Sequence, residues 1–133
     1  MNIDINTKKK EISEIAKEHG LEMVVLFGSQ ATGRTHAKSD VDIGVISRNK
    51  FDIFGLTTDF YKFLKRDDVE VVDLSRASPT LMRAIVIDGK LLYERKRADF
   101  LNWKFYAIKT WMDTDWLRRL AKKNIIEWAH QIA

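Results

Sequence analysis

Apolar residues change their spacing along the chain, and these changes divide it into helices and strands. Positions 7–19 carry apolar residues at helical spacing and stop before Gly20, a residue typical of helix ends. A continuous apolar run predicts a buried strand at 23–27, and the alternation of polar and apolar residues predicts a second strand at 40–46. The first part of the chain therefore reads as a helix followed by two strands.

The same alternation of element types continues through the rest of the chain. Residues 52–65 predict a helix with one apolar stripe, and the β-branched run at 69–74 predicts a third strand. A serine-proline start predicts a helix over 78–88, before a short edge strand at 90–94. We expect a small α/β (α+β) fold with a mixed, mainly antiparallel sheet, helices packed on one face and a candidate site on the other.

Polar residues that could bind a ligand or take part in catalysis lie between the first two strands. Gly28-Ser29 follows the first strand directly, where a glycine lets backbone N–H groups approach a ligand and the serine adds a hydroxyl. Asp40 and Asp42 begin the second strand, and because side chains alternate along a strand they share one face and can hold a divalent cation. A phosphate-binding turn joined to paired carboxylates indicates nucleotidyl transfer.

These residues stand in a longer signature that resembles the DNA polymerase beta-like nucleotidyltransferase superfamily. It reads L-F-G-S-Q-A-T-G-R-T-H-A-K-S-D-V-D-I-G-V, and the likeness continues through V-E-V-V-D-L-S-R-A-S-P and D-G-K-L-L-Y-E. In size the chain is similar to the minimal nucleotidyltransferases (MNT), which are commonly antitoxin partners of HEPN-domain ribonuclease toxins. The resemblance implies a polymerase beta-like fold, Mg²⁺ or Mn²⁺, and transfer of AMP from ATP to a tyrosine of the toxin.

Members of that superfamily complete the metal site with a third carboxylate on a neighbouring strand, and two residues compete for this role. If Val69 and Val71 face the core, Glu70 emerges on the ligand face, whereas Asp73 has the opposite parity and lies near the strand end. Glu70 is the preferred third carboxylate and Asp73 is the alternative. Related minimal transferases usually have aspartate here, so glutamate at this position leaves the level of activity open.

The predicted site therefore combines catalytic and metal-binding carboxylates with a phosphate-binding loop. Its carboxylates are Asp40, Asp42 and Glu70, and the glycine-serine turn is expected to hold the β- and γ-phosphates. Arg34 and Lys38, in the loop between the first two strands, are secondary candidates for nucleotide binding, because basic residues in a polar loop are more often simply solvated.

Length and composition favour one domain and restrict its metal chemistry. A chain of 133 residues with 45% hydrophobic content is long enough for a single core, with a nucleotidyltransferase core at 1–96 and a helical extension at 97–133. The extension is expected to pack on the core and on a partner. Because the sequence contains no cysteine, any metal must bind to carboxylates, histidines or phosphates.

Charge and hydropathy indicate where the protein is located and which kinds of partner it could bind. The sequence lacks a basic stretch followed by an apolar run at its start, and no segment approaches the roughly 20 apolar residues of a membrane span. A cytoplasmic location and no membrane contact are expected. The net charge of +4 is compatible with a polyanionic ligand, an acidic partner or RNA, and equally with ordinary solubility.

The region beyond residue 97 contains all four tryptophans in a long helical stretch with more apolar surface than one small core can bury. Trp103, Trp111 and Trp116 are therefore predicted to form a partner interface, because aromatic anchors dominate many protein interfaces. The expected partner is a HEPN-family toxin, and a homo-oligomer or hetero-oligomer is possible. Basic runs in the same stretch resemble an RNA-binding surface, but acidic residues interrupt them, so a solvated helix face is preferred and no direct nucleic-acid binding is expected.

Three functions of different classes stay open at this point. The first is an active adenylyltransferase that modifies a protein partner. The second is a binding antitoxin that keeps the fold and neutralises its toxin by contact alone. The third is nucleotide transfer to a small molecule such as an aminoglycoside, although those relatives generally have an extra domain that helps form the acceptor pocket.

Overall fold

The computed structural model describes residues 5–28, 31 and 40–132. In chain order its elements are α1 (Ile5–Glu18), β1 (Leu21–Phe27), β2 (Val41–Ser47), α2 (Ile53–Leu64), β3 (Val69–Asp73), a 3₁₀ turn (Leu74–Arg76), α3 (Pro79–Asp88), β4 (Lys90–Glu94), α4 (Asp99–Asp113) and α5 (Asp115–Ile132). These bounds agree with the elements expected from the sequence up to residue 94.

The four strands form one sheet in the order β3-β2-β1-β4. Strand β1 pairs antiparallel with both β2 and β4, and β2 pairs in parallel with β3. The sheet is thus mixed and mainly antiparallel, as predicted. The parallel pair is possible because α2 forms the crossover between β2 and β3.

One face of the sheet packs against α1 and α2. Val24 of β1 and Ile43 of β2 lie in the same buried cluster as Ile12 of α1 and Phe60 of α2. A hydrogen bond of 2.6 Å between His19 Nε2 and Asp59 Oδ2 joins the end of α1 to α2. His19 therefore has a structural partner in Asp59.

The opposite face packs against α3 and α4, where Met23 and Val25 of β1 lie in a second buried cluster with Ile85 and Trp103. The expectation that helices pack on one face only is therefore wrong. Both sides of β1 are apolar, and burying both requires a helical layer on each side of the sheet. The candidate site lies at one end of the strands instead of on an uncovered face.

Local capping explains where several helices begin. Asp52 accepts a hydrogen bond from the backbone N–H of Phe54 at 3.1 Å at the start of α2. Ser78 Oγ accepts from the N–H of Leu81 at 3.2 Å, and Pro79 occupies the first turn of α3. Such side chains satisfy N–H groups that a helix start leaves without partners, so these boundaries are set by local sequence.

The C-terminal extension consists of two helices where the sequence predicts one long helix. The break lies at Thr114, and Arg118 fixes it: its guanidinium donates to Thr114 Oγ1 at 2.7 Å and to the carbonyl of Trp111 at 2.6 Å. It also lies 3.3 Å from the centre of the Trp111 ring. Neither glycine nor proline marks the break; the available signal is Thr114 followed by Asp115, a capping residue and an acidic first-turn residue of the kind that begins a helix. Within the described ranges, no helix is long and apolar enough to cross a membrane.

Gly44, in the middle of β2, offers a direct test of the packing on the second face. A Cβ at this position would lie 2.8 Å from Leu74 Cδ1, closer than real carbon contacts, and Leu74 is fully buried. Because the core has no room for the extra methyl, Gly44→Ala is expected to lower the free energy of unfolding by about 1–3 kcal/mol, measured by urea denaturation.

The control for Gly44→Ala is the double variant Gly44→Ala/Leu74→Ala. Truncating Leu74 makes space for the methyl, so the loss in the double variant should be smaller than the sum of the two single losses. Strictly additive losses would show that the two positions do not contact each other in solution.

Candidate active site

Asp42 lies at the centre of the candidate site because its strand runs between two others. Across the antiparallel pair it is opposite Phe27, the last residue of β1, and across the parallel pair it is in register with Glu70. Asp42 is half-buried, and Glu70 is exposed. The sheet therefore brings the second aspartate of the pair beside the preferred third carboxylate.

Gly28, in the turn after β1, packs closely against the carboxylate of Asp42. Its φ is +74°, in the left-handed region that favours glycine, and a Cβ built on it would overlap Asp42 Oδ2. Its carbonyl accepts a hydrogen bond of 3.1 Å from the N–H of Ala31, which is helical and buried. The glycine of the predicted phosphate-binding turn thus lies directly against the carboxylate of the predicted metal site.

Electrostatic interactions link the three predicted carboxylates. The pKa of Asp42 is raised above its ordinary value, first by burial and then by the negative charges of Glu70 and Asp40. Asp40 is exposed, immediately before β2. Burial and these neighbouring charges together make the ionised form of the Asp42 side chain less favourable than that of a carboxylate in water.

Asp73, the alternative third carboxylate, lies elsewhere along the strand. It pairs with Val45, three residues beyond Asp42 on β2 and about 10 Å away at the rise of a strand. Its Oδ1 accepts hydrogen bonds from the backbone N–H of Ser75 at 3.0 Å and from Ser75 Oγ at 2.7 Å. Its position and its capping role both favour Glu70 as the third carboxylate.

An ion pair between Arg66 and Asp68 lies beside the start of β2. The sequence pattern did not single out these two residues. The Arg66 guanidinium donates to Asp68 at 2.7 Å and 2.5 Å, and the carbonyl of Asp68 accepts the N–H of Val41 at 3.0 Å. The pKa of Arg66 is raised, mainly by its hydrogen bond to Asp68 and further by the charges of Asp68 and Asp40. The R-x-D spacing at 66–68 was the available signal, but nothing in the sequence placed it beside Asp40.

Carboxylate oxygens are the ligands that Mg²⁺ and Mn²⁺ prefer. In the part of the chain that the structure describes, no three His, Asp or Glu side chains are arranged closely enough to hold a metal ion together. The crowding of negative charge around Asp42 is the feature that suits a divalent cation, because a cation would relieve it. Metal binding by Asp40, Asp42 and Glu70 stays a prediction that this chemistry supports.

The remaining predicted nucleotide-binding residues, Ser29, Arg34 and Lys38, lie outside the described residues. Their roles also stay predictions. Gly28 and Ala31, on either side of Ser29, are described, and they place the end of β1 against Asp42.

The three tryptophans predicted to meet a partner differ in exposure. Trp103 is only 8% exposed and stacks on Phe100 with 6.3 Å between ring centres, so its assignment to the partner surface is wrong. Trp111 is half-buried between the guanidinium groups of Arg83 and Arg118. Trp116 is 62% exposed. Of the three, Trp116 presents the most surface to a partner, and Trp103 belongs to the core because α4 packs on the sheet through it.

Two curated proteins named protein adenylyltransferase MntA are similar to this chain. The protein from Shewanella oneidensis is 34% identical over 92 residues, which cover 68% of this chain and 63% of that protein. The protein from Aphanizomenon flos-aquae is 31% identical over 93 residues, which cover 60% of this chain and 61% of that protein. The chain therefore spans less than two thirds of the length of either relative.

Solved structures show the same fold. A toxin–antitoxin complex with AMP-PNP contains a chain with a TM-score of 0.76 and 25% identity, covering 89% of this chain and 98% of that one. A chain of the MntA-HepT toxin–antitoxin complex has a TM-score of 0.69 at 23% identity, covering 91% of this chain and 98% of that one. These likenesses confirm the predicted fold class.

The family described as polymerase beta, nucleotidyltransferase matches residues 10–98. That range includes the Gly28 turn, the aspartate pair and Glu70, and it makes up more than half of the chain. The geometry at the end of the sheet and the family match agree, and the resemblance noted from the sequence is confirmed: the chain belongs to the polymerase beta nucleotidyltransferase family.

Proposed function

We propose that this protein is an MNT antitoxin that transfers AMP from ATP to a tyrosine of a HEPN-family ribonuclease toxin. The observation that supports this most strongly is the contact between Gly28 and Asp42, with Glu70 in register beside it. It places a turn suited to phosphates against carboxylates suited to a metal. The names of the two MntA relatives, both protein adenylyltransferases, and the AMP-PNP in a structurally similar complex support the choice of ATP and of a protein acceptor.

The reaction joins the acceptor oxygen to the α-phosphorus of ATP, breaks the bond to the β-phosphate oxygen and releases pyrophosphate. Asp40, Asp42 and Glu70 would hold Mg²⁺ or Mn²⁺, which supplies positive charge for the triphosphate. Glu70, the exposed member in register with Asp42, is positioned to accept the proton of the attacking hydroxyl. Backbone N–H groups at the Gly28 turn and the hydroxyl of Ser29 would bind the β- and γ-phosphates.

Transfer of labelled AMP tests this function. The protein is incubated with ATP labelled on the α-phosphate, Mg²⁺ and a HEPN-family protein as candidate acceptor. We expect label on a tyrosine of that protein, and none after chelation of the metal. Failure to label the partner with Asp40 and Asp42 intact would contradict the proposal.

The C-terminal helices offer the surface that such a partner would cover. None of the residues of α5 is buried. One stripe along this helix, spaced by three or four residues, is apolar and exposed: Leu117, Ala121, Ile125, Trp128 and Ile132. The outer side of α4 has a second exposed stripe, Leu101, Phe105, Ile108 and Met112. Apolar patches of this extent on a small protein are typical of protein interfaces.

Trp128 lies on the apolar stripe of α5, whereas Trp116 lies near the start of this helix on a different side of it. Both are expected to be anchors of the interface. They are 62% and 60% exposed, so Trp116→Ala or Trp128→Ala should leave the fold unchanged and weaken binding of the toxin by about 30-fold, the effect of losing an interface hot spot. Isothermal titration calorimetry with a catalytically inactive toxin measures this affinity.

Lys122→Ala is the matched control for the two tryptophan variants. Lys122 is exposed on the charged side of α5, away from the apolar stripe, and should change the affinity less than about threefold. If Lys122→Ala weakens binding as much as the tryptophan variants, the interface follows charge instead of the apolar stripe.

A binding antitoxin that acts by contact alone is the second candidate, because the exposed apolar stripes exist whether or not the transfer site is active. One experiment distinguishes the transferase function from neutralisation by contact alone. Asp40→Asn/Asp42→Asn should abolish neutralisation of the toxin in cells if transfer is required, and should leave it intact if contact is sufficient. Binding of the double variant to the toxin, measured in vitro, is expected to persist in both cases.

A further inference from the structure

A cleft lies at the end of the sheet opposite Asp42 and Glu70. It has a volume of about 540 Å³, and its walls are the segment after β2 and the 3₁₀ turn after β3. Since β2 and β3 are parallel, their carboxyl ends meet at the same edge. Asp42 and Glu70 lie near the beginnings of these strands, so the cleft is separate from the candidate active site.

The cleft results from the directions in which the chain leaves β2 and β3. After β2 the chain continues into α2, which packs on one face of the sheet, and after β3 it continues into α3, which packs on the other. Two neighbouring parallel strands whose connections leave to opposite faces create a crevice outside their carboxyl ends, and this is where open α/β sheets commonly bind ligands. The cleft therefore has a position suited to binding as well as a suitable volume.

The chemistry of the lining favours an anion. Lys50 and Arg76 are both exposed at the cleft, and among the described residues neither forms an ion pair. The acidic residue of the cleft, Asp73, uses Oδ1 to accept two hydrogen bonds from Ser75. Phe51 supplies an apolar wall. An Arg fork with a nearby ammonium matches the geometry and charge of a phosphate or carboxylate group.

We propose that this cleft binds a small organic anion, with its phosphate or carboxylate group between Lys50 and Arg76. The volume suits a ligand of metabolite size. An RNA strand would need a longer basic track, and the neighbouring Arg48 is already paired with Glu22 at 2.6 Å. The proposal does not depend on nucleotidyl transfer, because Asp40, Asp42 and Glu70, the carboxylates preferred for that reaction, do not line the cleft.

Amide NMR titrations of the whole chain test the proposal. The probes are inorganic phosphate, AMP and citrate, each added at constant ionic strength. We expect saturable shifts at Asn49, Lys50, Ser75 and Arg76 with a dissociation constant below about 1 mM for at least one probe. AMP bound at the candidate active site would shift Gly28 and Asp42 instead, so the two sites are distinguished in one spectrum.

Charge-neutral variants provide the second part of the test. Lys50→Gln/Arg76→Gln should weaken binding at least about tenfold, whereas Lys62→Gln, an exposed lysine on α2 without an ion pair in the described part of the chain, should leave it unchanged. All four amides staying unshifted up to about 10 mM of every probe would overturn the proposal. Equal affinity of the double variant and the unaltered protein for the same probe would also overturn it.

Discussion

Asp42→Asn is expected to lower AMP transfer at least about 100-fold without lowering stability. Burial, Glu70 and Asp40 all raise the pKa of Asp42, so the folded protein is less stable with this carboxylate ionised than with it neutral. Asparagine removes the charge and keeps the shape. A loss of transfer with an equal or higher urea midpoint would therefore locate the effect in the chemistry of the site.

Two further variants decide which residue supplies the third carboxylate. Glu70→Gln should lower transfer by about 10–100-fold, because its carboxylate lies in register with Asp42. Asp73→Asn should keep transfer and most of the stability, since an asparagine Oδ1 can still accept the hydrogen bond from the Ser75 N–H that caps the 3₁₀ turn. Full activity in Glu70→Gln together with loss in Asp73→Asn would move the role to Asp73.

Gly28→Ala is expected to impair transfer about tenfold or more, although Gly28 has no reactive group. The backbone at φ +74° disfavours an L side chain, and the added Cβ would push against Asp42 Oδ2. The Asp42 carboxylate would have to turn away from the position it holds beside Glu70. Labelled AMP transfer and the urea midpoint, measured on the same preparation, separate the two effects.

Gly20→Ala is the matched control for this prediction. Gly20 has a similar φ of +68°, but a Cβ there would meet nothing within 4 Å. Both variants should lose about 1–2 kcal/mol of stability from backbone strain, and only Gly28→Ala should lose transfer beyond that. Equal losses of transfer in the two variants would mean that strain, and not the contact with Asp42, is responsible.

Most of the sheet could be predicted because each strand has a local signal. The continuous apolar run of β1 and the alternation in β2 lead directly to the observed elements, and the serine-proline start marks α3. The helical layer on the second face could also have been inferred, since a strand that is apolar on both sides, as β1 is, needs cover on both. The prediction of one covered face did not use that signal.

The C-terminal region was harder to predict because particular side-chain contacts, which helical periodicity does not show, determine it. The break at Thr114 depends on hydrogen bonds from Arg118, a residue four positions later, and on its stacking against Trp111. Trp103 and Trp116 both lie in the helical stretch beyond residue 97, yet Trp103 packs on the sheet from α4 and Trp116 of α5 is exposed. Helical periodicity alone does not show which of two aromatic stripes meets the core.

Within the candidate site, parity along the strand predicts that Glu70 lies on the same side as Asp42, and the register of β2 with β3 agrees with that position. The role of Glu70 as third carboxylate stays a prediction. The ion pair between Arg66 and Asp68 could not be placed there from sequence. Its position depends on how the chain leaves α2 and enters β3, and no periodic pattern specifies that path.

The most direct test of the account is a crystal structure of the protein with Mn²⁺ and a non-hydrolysable ATP analogue. We predict an anomalous manganese peak about 2.2 Å from carboxylate oxygens of Asp42 and Glu70, with the triphosphate against the Gly28 turn. Manganese and analogue bound away from these residues, with Asp42 and Glu70 contacting neither, would contradict the assignment of this site to nucleotidyl transfer.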